Sequence, residues 1–342
     1  MELLMTDLQV IESKLPTRLE VLTELNLRGG LVNAQKFRND YLKLKSGFEG
    51  ERILLEYLEE YSEKHWVVLQ NVWLNFFGGF ECDVLLVTRA GLYPFEVKNY
   101  SGTFVLKENV GINNGIKLGK HPVTQGLNTG ISMNAIFKEM YPAPNILTTL
   151  IFIGSNSQIA IYDEVPDLNI LVRNQLKDFI WDIKQTERYF QGKPLDVNDV
   201  LAALRPYEIH HLYPAENLTA QLKDNITPGI KCVYCGRFDV KIGKKYVSCR
   251  CGMHESRDEA LVRTICEYGV MHFDRNLTTT ELVEFFGDSV SRSNIRHILR
   301  KYFKKDGTYR SSKTVNPGLP FLRIYDTFEF QIPKFKIIDG PM

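Results

Sequence analysis

The chain has 342 residues, a length typical of two or three domains. It carries 42 Lys and Arg against 41 Asp and Glu, and this formal net charge of +1 argues against a histone-like protein or one with an acidic tail. Hydrophobic residues make up 44% of the chain and charged residues 24%, which are ordinary globular values that exclude wholesale disorder.

The sequence contains neither a membrane-spanning pattern nor a secretory signal pattern. Its longest apolar stretch, 146–153, is interrupted by Thr148 and Thr149 and is far shorter than the roughly 20 residues that a bilayer requires. The first 15 residues include acidic side chains and lack a basic segment before an apolar one. We therefore predict a cytoplasmic protein without a membrane partner.

Helices are predicted at the start of the chain. Leucines recur at three- and four-residue spacing within residues 1–45, which indicates a largely helical region, interrupted by two glycines at 29–30. A second helix is predicted to start at Ser46, because Ser46 and Glu49 have the spacing of a capping box. This helix should end near Tyr61.

Strands and helices follow one another irregularly after this helix. Strands are predicted at 66–74, 82–88, 92–98, 103–107 and 149–153, and helices at 122–140 and 172–185. Because the two types do not alternate strictly, we predict a mixed α/β core, with a mixed sheet flanked by helices, rather than a doubly wound sheet.

Three charged residues share one face of a predicted hairpin. With a two-residue turn at Ala90 and Gly91, Asp83 lies opposite Lys98, and Glu96 is a diagonal neighbour of Asp83 at roughly 7–8 Å. Because side chains alternate between faces, Asp83, Glu96 and Lys98 all project from the same side. One metal ion would bridge the two carboxylates after modest side-chain adjustment. An Asp83–Lys98 ion pair is the alternative, since buried charges are costly unless they pair or bind metal.

Glu51 is predicted to lie near this hairpin. Leucines follow Glu51 at helical spacing, so Glu51 sits at the N-terminal end of the helix face that should dock on the sheet. The helix dipole favours a carboxylate near a helix start. Gly47 and Gly50 should allow close backbone approach. A surface glutamate at the rim of an amphipathic helix is the alternative.

An ordered set of motifs suggests a known family. The set comprises Gly50-Glu51, Asp83, the run Phe-Glu-Val-Lys-Asn-Tyr-Ser-Gly at 95–102 and the run Pro-Val-Thr-Gln at 122–125. It resembles the nuclease-related domain, NERD, of the PD-(D/E)xK nuclease superfamily, over roughly residues 46–155. Two positions depart from the family: Pro94, which removes a donor from the strand ladder, and Cys82, where an aliphatic residue is commoner.

The resemblance implies a restriction-endonuclease-like core that hydrolyses phosphodiester bonds with a metal ion. Asp83 and Glu96 would hold the ion, and Glu51 would complete or extend its shell. Lys98 would orient the water or neutralise the transition state. Gln125 matches the helix glutamine of the family and would orient Lys98 or the water; a surface amide is the alternative. Oxygen ligands without nearby His or Cys favour Mg²⁺ or Mn²⁺ over zinc.

Four of the six cysteines form a second candidate metal site. Cys232 and Cys235 have Cys-x-x-Cys spacing, Cys249 and Cys251 have Cys-x-Cys spacing, and a short predicted hairpin separates the two pairs. Such pairs converge as a tetrahedral thiolate site, and the segment resembles a zinc ribbon. His254 is an alternative fourth ligand. Because four protein ligands leave no open position, the Zn²⁺ is predicted to be structural.

The C-terminal region is predicted to bind nucleic acid through a helix-turn-helix. Residues 277–287 are typical of a capped helix ending at glycine, and 291–303 of a second helix. A strand at 322–330 would add a wing. The second helix and the residues after it are basic, and the predicted nucleic-acid contacts are Arg292, Arg296, Arg300, Lys304 and Lys305. A solvated basic face is the alternative.

Together these patterns divide the chain into five parts. They are an N-terminal helical region (1–45), a nuclease-like domain (46–195), a linker or helical connection (196–229), a zinc ribbon (230–256) and a helix-turn-helix or winged-helix-like DNA-binding module (257–342). The combination predicts a metal-dependent DNA nuclease. A non-catalytic DNA-binding regulator that retains a nuclease-like fold is the alternative, which would not require Glu51, Asp83, Glu96 and Lys98 together.

Overall fold

The protein consists of two compact units. The computed structural model describes residues 17–76, 78–119, 121–208, 218–222, 225–307 and 312–320. Of these, 43–208 form unit 1, and 17–42 together with 218–320 form unit 2. Within the described ranges, no helix is both long enough and apolar enough to cross a membrane.

Helices and strands occur in mixed order along the described chain. The helices are α1 (Arg18–Leu27), α2 (Gln35–Tyr61), α3 (Pro122–Phe137), α4 (Leu176–Arg188), α5 (Val197–Leu204), α6 (Leu218–Leu222), α7 (Arg257–Met271), α8 (Thr279–Phe286) and α9 (Arg292–Tyr302). The strands are β1 (Val67–Leu74), β2 (Phe80–Val87), β3 (Gly91–Lys98), β4 (Gly102–Lys107), β5 (Val110–Asn113), β6 (Ile116–Lys117), β7 (Asn145–Ile146), β8 (Thr149–Phe152), β9 (Ser157–Ile161), β10 (Asn169–Val172), β11 (Lys241–Ile242), β12 (Tyr246–Ser248), β13 (His254–Ser256), β14 (Lys305–Asp306) and β15 (Lys313–Thr314). The predicted mixed α/β class is confirmed.

Unit 1 is built on a mixed sheet with the strand order β1-β2-β3-β8-β10, and β7 also pairs with β3. Strands β1, β2 and β3 are antiparallel neighbours, whereas β8 runs parallel to both β3 and β10. Helix α2 packs Leu54 and Leu58 on one face of the sheet, and α3 packs Met133 and Ile136 on the other. This arrangement is the predicted mixed sheet flanked by helices.

A second sheet, with the order β6-β5-β4-β9, completes unit 1. Strand β4 pairs antiparallel with β5 and parallel with β9. Phe104 of β4 stacks on Phe152 of β8, with ring centroids 4.6 Å apart. Because Phe152 pairs with Lys98 in the first sheet, this packing supports the end of β3.

Helix α2 begins at Gln35, well before the predicted start at Ser46. The prediction that Ser46 caps this helix is wrong, because the preceding segment, 35–45, contains no Gly or Pro that would end a helix. The Ser46 hydroxyl instead donates a hydrogen bond to the backbone oxygen of Asn99 at 3.3 Å. The predicted end near Tyr61 is confirmed.

The turn between β2 and β3 lies one residue earlier than predicted. Val87 pairs with Leu92, and the N–H of Thr88 donates to the backbone oxygen of Gly91 at 3.0 Å. The hydroxyl of Thr88 accepts hydrogen bonds from the N–H groups of Ala90 at 3.2 Å and Gly91 at 3.1 Å. These bonds place Arg89 and Ala90, and not Ala90 and Gly91, at the centre of the turn.

The shifted turn changes the register of the hairpin. Val84 pairs with Phe95, and continuing this register places Asp83 opposite Glu96. The predicted pairing of Asp83 with Lys98 is therefore wrong by two residues. Since side chains alternate with a period of two, a shift of two residues keeps Asp83, Glu96 and Lys98 on one face.

Pro94 interrupts the pairing of β3 on one side only. In β2, Leu85 lies opposite Pro94 within an unbroken register. On the other side, β3 pairs with β7 as far as Leu92 and with β8 from Phe95 onward. The imperfect pairing expected at Pro94 is confirmed on this second side, where a proline cannot donate to the ladder.

The core of unit 2 joins the N-terminal helix to helices from later in the chain. Leu22 and Leu25 of α1 pack with Leu218 and Leu222 of α6 and with Val270 of α7. Helix α6 falls within the predicted linker or helical connection, and both of its leucines are buried. This part of the connection therefore contributes to a core.

A buried network of charges links α1, the cysteine-rich segment and α7. Glu267 of α7 forms ion pairs of 2.6 Å with Arg28, Lys231 and Arg263. Glu255 forms a further pair with Arg263 at 2.7 Å. Burial favours the neutral acid, but Arg263, Lys231 and Arg28 together lower the pKa of Glu267. The network stabilises unit 2 only while all partners remain, because an unpaired buried charge is costly.

Both predicted C-terminal helices are present. Helix α8 is capped by Thr278 and ends at Gly287, and α9 is capped by Ser291. The apolar face of α9 is buried as predicted and comprises Ile295, Ile298, Leu299 and Tyr302. Strands β14 and β15 form a hairpin after α9, and Thr314 of β15 also pairs with Leu277. The predicted strand at 322–330 lies outside the described residues.

Candidate functional site

Asp83 on β2 and Glu96 and Lys98 on β3 lie together on the sheet face that α3 covers. The N–H of Val97 donates to Oδ2 of Asp83 at 2.7 Å. Lys98 Nζ forms a short ion pair with Oε1 of Glu96. The Glu96 side chain is only 5% exposed and that of Lys98 only 15%, so water screens this pair weakly. The hairpin thus brings the three charged residues into one partly buried group.

Helix α2 brings Glu51 to the same group. Gly50 approaches the end of β3 so closely that an added Cβ would lie 2.8 Å from Cβ of Asn99. Nδ2 of Asn99 donates to the backbone oxygen of Ser46 at 2.9 Å and holds the helix against the strand. Burial raises the pKa of Glu51, and the charge of Lys98 opposes this rise. Glu51 and Lys98 therefore interact electrostatically.

Glu81 is a further carboxylate of this site that the sequence patterns did not reveal. It lies two residues before Asp83 on β2, so both side chains point to the same face. Burial and then the charge of Asp83 raise the pKa of Glu81 to about 8, and Glu51 and Glu96 add to the rise. The alternation of side chains along β2 would have revealed Glu81, but the sequence predicted that this strand starts at Cys82.

Negative groups outnumber cations in this acidic cluster, which comprises Glu51, Glu81, Asp83 and Glu96 together with Lys98. Burial and then the charge of Glu96 raise the pKa of Asp83 to about 7. Burial disfavours the charged form of Lys98, but Glu96 and Asp83 outweigh it and raise the pKa of Lys98. Lys98 is therefore a cation, and additional positive charge would stabilise the ionised carboxylates.

The donor atoms of the acidic cluster suit a hard divalent cation. They are carboxylate oxygens, the ligands that Mg²⁺ and Mn²⁺ prefer. The nearby thiol of Cys82 is fully buried, and burial raises its pKa, so it is a neutral group and not a thiolate ligand. Among the described residues, three or more ligand atoms of His, Cys, Asp or Glu lie within 4.8 Å of one another only at the four clustered cysteines. Three of the carboxylates could therefore share one ion only after moving closer together.

Gln125 lies on the first turn of α3, on the side of the helix that packs against the sheet. The buried residues Thr129, Met133 and Ile136 continue this side toward the end of the helix. Gln125 itself is half-buried. In the described part of the chain, its amide forms no hydrogen bond with Lys98. The structure thus brings Gln125 to the covered face without a direct bond to Lys98.

The four clustered cysteines converge on one point. Their sulfur atoms all lie within 4.8 Å of one another. The Sγ atoms of Cys232 and Cys251 are 3.7 Å apart, and those of Cys235 and Cys249 are 3.5 Å apart. His254 hydrogen-bonds to a serine hydroxyl and is not part of this group. The arrangement fits a structural zinc ion in a zinc ribbon built on the sheet β11-β12-β13.

Helix α9 presents basic side chains beside a groove. The five predicted nucleic-acid contacts are all exposed: Arg292, Arg296, Arg300, Lys304 and Lys305. Arg296, Arg300 and Lys305 line a groove of about 730 Å³ together with residues before α8 and on β15. Two further cations, Arg275 and Lys313, line this groove, and cations outnumber its two acidic residues. The surface is therefore suited to an anionic partner.

Part of unit 1 matches a known family. Residues 46–153 match the family model NERD, nuclease-related domain. The matched segment contains Glu51, Asp83, Glu96, Lys98 and Gln125. No curated protein and no solved structure matches the chain.

Proposed function

Because residues 46–153 are a nuclease-related domain, we propose that the protein is a metal-dependent nuclease that hydrolyses phosphodiester bonds of DNA. The observation that carries this proposal is the position of the acidic cluster. Glu51, Asp83 and Glu96 lie with Lys98 in one partly buried group inside the matched segment. Carboxylates and a cation in one group are the side chains that metal-assisted phosphodiester hydrolysis requires.

In the proposed reaction, Asp83 and Glu96 would hold Mg²⁺ or Mn²⁺, and Glu51 would complete or extend the shell. When bound, the ion would supply positive charge to the phosphate and make a water more acidic. Lys98 is protonated, because the carboxylates raise its pKa, and it stabilises negative charge that develops on the phosphate oxygens. Gln125 orients the attacking water or Lys98 from the first turn of α3.

Unit 2 is the proposed DNA-binding module. Helices α7, α8 and α9, the β14–β15 hairpin and the Leu277–Thr314 pair follow the order of a winged helix. We assign α9 to the major groove of the duplex. Arg292 and Arg296 lie near its start and contact base edges. The residues that contact the backbone are Arg300, Lys304 and Lys305.

We propose that the four clustered cysteines hold one structural zinc ion. Four thiolates leave no open coordination position, so the ion takes no part in hydrolysis. It connects the loop after Cys232 to the loop after Cys249 and stabilises a sheet that is too small for a core of its own. Thiols remain reduced in the cytoplasm, where we place the protein.

A non-catalytic DNA-binding regulator is the second candidate. Two observations favour it: Glu96 is already paired with Lys98, and no three of the carboxylates have oxygen atoms within 4.8 Å of one another in the described part of the chain. In such a protein the acidic cluster would stabilise the fold and would not hold a catalytic ion.

Cleavage of plasmid and linear duplex DNA by the purified chain distinguishes the two functions. We expect cleavage with Mg²⁺ or Mn²⁺, no cleavage with EDTA, and no cleavage by Asp83→Asn. Glu59→Gln removes an exposed carboxylate from α2 and should cleave like the wild type. DNA binding without cleavage at any concentration of either ion would establish the regulator.

A further inference from the structure

The zinc-ribbon segment exposes two aromatic rings that the proposed nuclease does not use. Tyr234, between the first two cysteines, is 78% exposed, and Tyr246 on β12 is 48% exposed. Aromatic rings are usually buried or packed against a partner, because this takes their large apolar area out of water. Two exposed tyrosines in one small module therefore need a specific explanation.

The β11-β12-β13 sheet has one buried face and one solvent face. Val247 and Glu255, which pair across β12 and β13, are both buried. Tyr246 and Ser248 alternate with Val247 and point to the opposite side. Lys241 of β11 lies opposite Ser248 and points the same way. The solvent face of the sheet thus carries Tyr246 and Lys241.

Small residues flank Tyr246 on this face. On one side, the N–H of Gly243 donates to the backbone oxygen of Tyr246 at 2.8 Å. On the other side, Ser256 is the cross-strand partner of Tyr246. Neither neighbour has a side chain large enough to cover the ring. An open ring on a flat sheet is a surface on which a nucleobase stacks.

Cations accompany the two rings. Four exposed basic residues of the described zinc-ribbon segment, 230–256, form no ion pair: Arg237, Lys241, Lys244 and Lys245. Asp239 is the exposed acidic residue of the segment and lies 3.8 Å from Arg250. Glu255 is buried and bound to Arg263. The exposed surface of this segment therefore has a net positive charge, which attracts phosphates.

We propose that the exposed surface of the zinc-ribbon segment binds single-stranded nucleic acid. We call this surface the stacking face, and its residues are Tyr234, Tyr246, Arg237, Lys241, Lys244 and Lys245. Unpaired bases stack on the two tyrosines, and the phosphates between them contact the cations. A duplex cannot use the rings in this way, because its bases already stack on one another.

The stacking face and α9 belong to the same core. Val247 of β12 and Ile298 of α9 are members of one buried cluster, so the two surfaces keep a constant separation. The inference rests on the proposed function in one respect, which is that α9 holds a duplex. Under that condition the protein prefers a duplex with a single-stranded tail, because binding at one surface raises the effective concentration at the other.

Fluorescence anisotropy with the full-length, zinc-loaded chain tests the stacking face. The probes are a labelled oligothymidylate of about 16 nucleotides, an oligouridylate of equal length and a blunt DNA hairpin. We expect Tyr234→Ala and Tyr246→Ala each to weaken oligothymidylate binding about tenfold and to leave hairpin binding unchanged. Tyrosine to phenylalanine at either position should retain binding, because the ring still stacks. The oligouridylate shows whether RNA is held as well as DNA.

Tyr162→Ala is the matched control, since it removes a 72% exposed tyrosine from unit 1. Wild-type affinity in both alanine variants of the stacking face would overturn the proposal. So would a loss produced only by Lys241→Ala and Lys244→Ala, because binding would then be purely electrostatic. If an alanine variant loses zinc or unfolds, the wild type is photocrosslinked to an oligonucleotide containing 5-iodouracil. Crosslinks at Tyr234 or Tyr246 support the stacking face, and crosslinks exclusively elsewhere refute it.

Failure of this inference is distinguishable from failure of the proposed nuclease. Asp83→Asn should lose cleavage and keep oligothymidylate binding, whereas Tyr246→Ala should weaken oligothymidylate binding about tenfold and keep cleavage of blunt duplex. If the wild-type chain cleaves DNA but does not bind oligothymidylate, the stacking face is refuted and the nuclease is not. If the chain binds oligothymidylate but never cleaves, the nuclease is refuted and the stacking face is not.

Discussion

At the scale of single residues, the balance of charge in the acidic cluster governs the proposed chemistry. Burial raises the pKa of Asp83 to about 7 and that of Glu81 to about 8, and the other carboxylates add to both shifts. Repulsion between carboxylates makes the cluster costly to ionise without a cation. A bound divalent ion supplies the missing positive charge and favours the ionised forms.

We expect Asp83→Ala, Glu96→Ala and Lys98→Ala each to reduce the cleavage rate by about 100-fold or more. In the proposed mechanism, the first two substitutions remove ligands of the ion, and the third removes a charge that would stabilise the transition state. Circular dichroism should show that the fold is retained. Lys64→Ala, which removes an exposed lysine elsewhere in unit 1, should cleave normally. Full activity in any of the three cluster variants would contradict the proposed roles.

Glu81→Gln should increase the metal concentration required for half-maximal cleavage by about tenfold. The reason is that Glu81 lies within electrostatic range of Asp83 and Glu96, and a divalent cation there would favour its ionised form, so losing this carboxyl group weakens the attraction for the cation. Titrating Mg²⁺ at constant DNA concentration measures this shift. Glu59→Gln serves as the control for an exposed carboxylate. An unchanged metal requirement in Glu81→Gln would exclude Glu81 from the cation site.

At the scale of elements, the contact between α2 and β3 determines where Glu51 lies. Gly50 is in close contact with Asn99, whereas an added Cβ at Gly47 would meet nothing within 4 Å. The close approach expected from the sequence is thus confirmed at Gly50, and for Gly47 the expectation is wrong. The two glycines of one helix form a matched pair for testing this contact.

Gly50→Ala should destabilise unit 1 by about 1–3 kcal/mol and slow cleavage, because a Cβ 2.8 Å from Asn99 pushes α2, and Glu51 with it, away from β3. Gly47→Ala should be neutral or stabilise by up to about 1 kcal/mol, since alanine favours the helix. Urea unfolding followed by circular dichroism measures both changes. Equal effects of the two substitutions would show that the α2–β3 contact is not tight.

Helix α9 provides the second test at this scale. Changing Arg300 and Lys304 together to alanine should weaken binding to all duplex sequences alike and reduce the salt dependence, at roughly 0.9 log units per lost phosphate contact. Anisotropy titrations at several salt concentrations measure the slope. Lys64→Ala with Lys193→Ala is the control for the loss of two exposed lysines. Affinity equal to wild type at every salt concentration would show that α9 is only a solvated basic face.

At the scale of the whole molecule, the two units have separate cores and separate sources of stability. The stability of unit 1 depends on the apolar clusters that are buried on the two faces of its mixed sheet. Unit 2 depends on the apolar contacts of α1, α6 and α7, on the buried network around Glu267 and, in our proposal, on zinc. Loss of zinc should therefore affect one unit much more than the other.

We expect one zinc ion per chain after purification without added metal, as elemental analysis would show. Cys232→Ser should destabilise unit 2 and spare unit 1, because a serine hydroxyl is a poor zinc ligand and the cysteines lie outside the nuclease-related segment. Limited proteolysis should then cut within unit 2 and leave 43–208 protected. A folded wild-type protein without zinc would refute the metal assignment.

The local features of this protein were predictable from its sequence. Alternation placed Asp83, Glu96 and Lys98 on one face, and this result survived a register error of two residues because the period of a strand is two. Helical spacing and capping residues predicted α8 and α9 and the buried face of α9. Cysteine spacing predicted a thiolate group whose sulfur atoms do converge.

Other features were decided only by tertiary structure. The register that places Asp83 opposite Glu96 follows from the hydrogen bonds between Thr88 and Gly91, which set the position of the turn. The partners of Arg28 include Glu267, more than 200 residues away in sequence. Hydrophobic periodicity and helix capping depend on residues close together in sequence, so a short segment is enough to predict them. Register, the close approach of α2 to β3 and the joining of α1 to α7 depend on contacts between distant segments, whose energies exist only when the chain is folded.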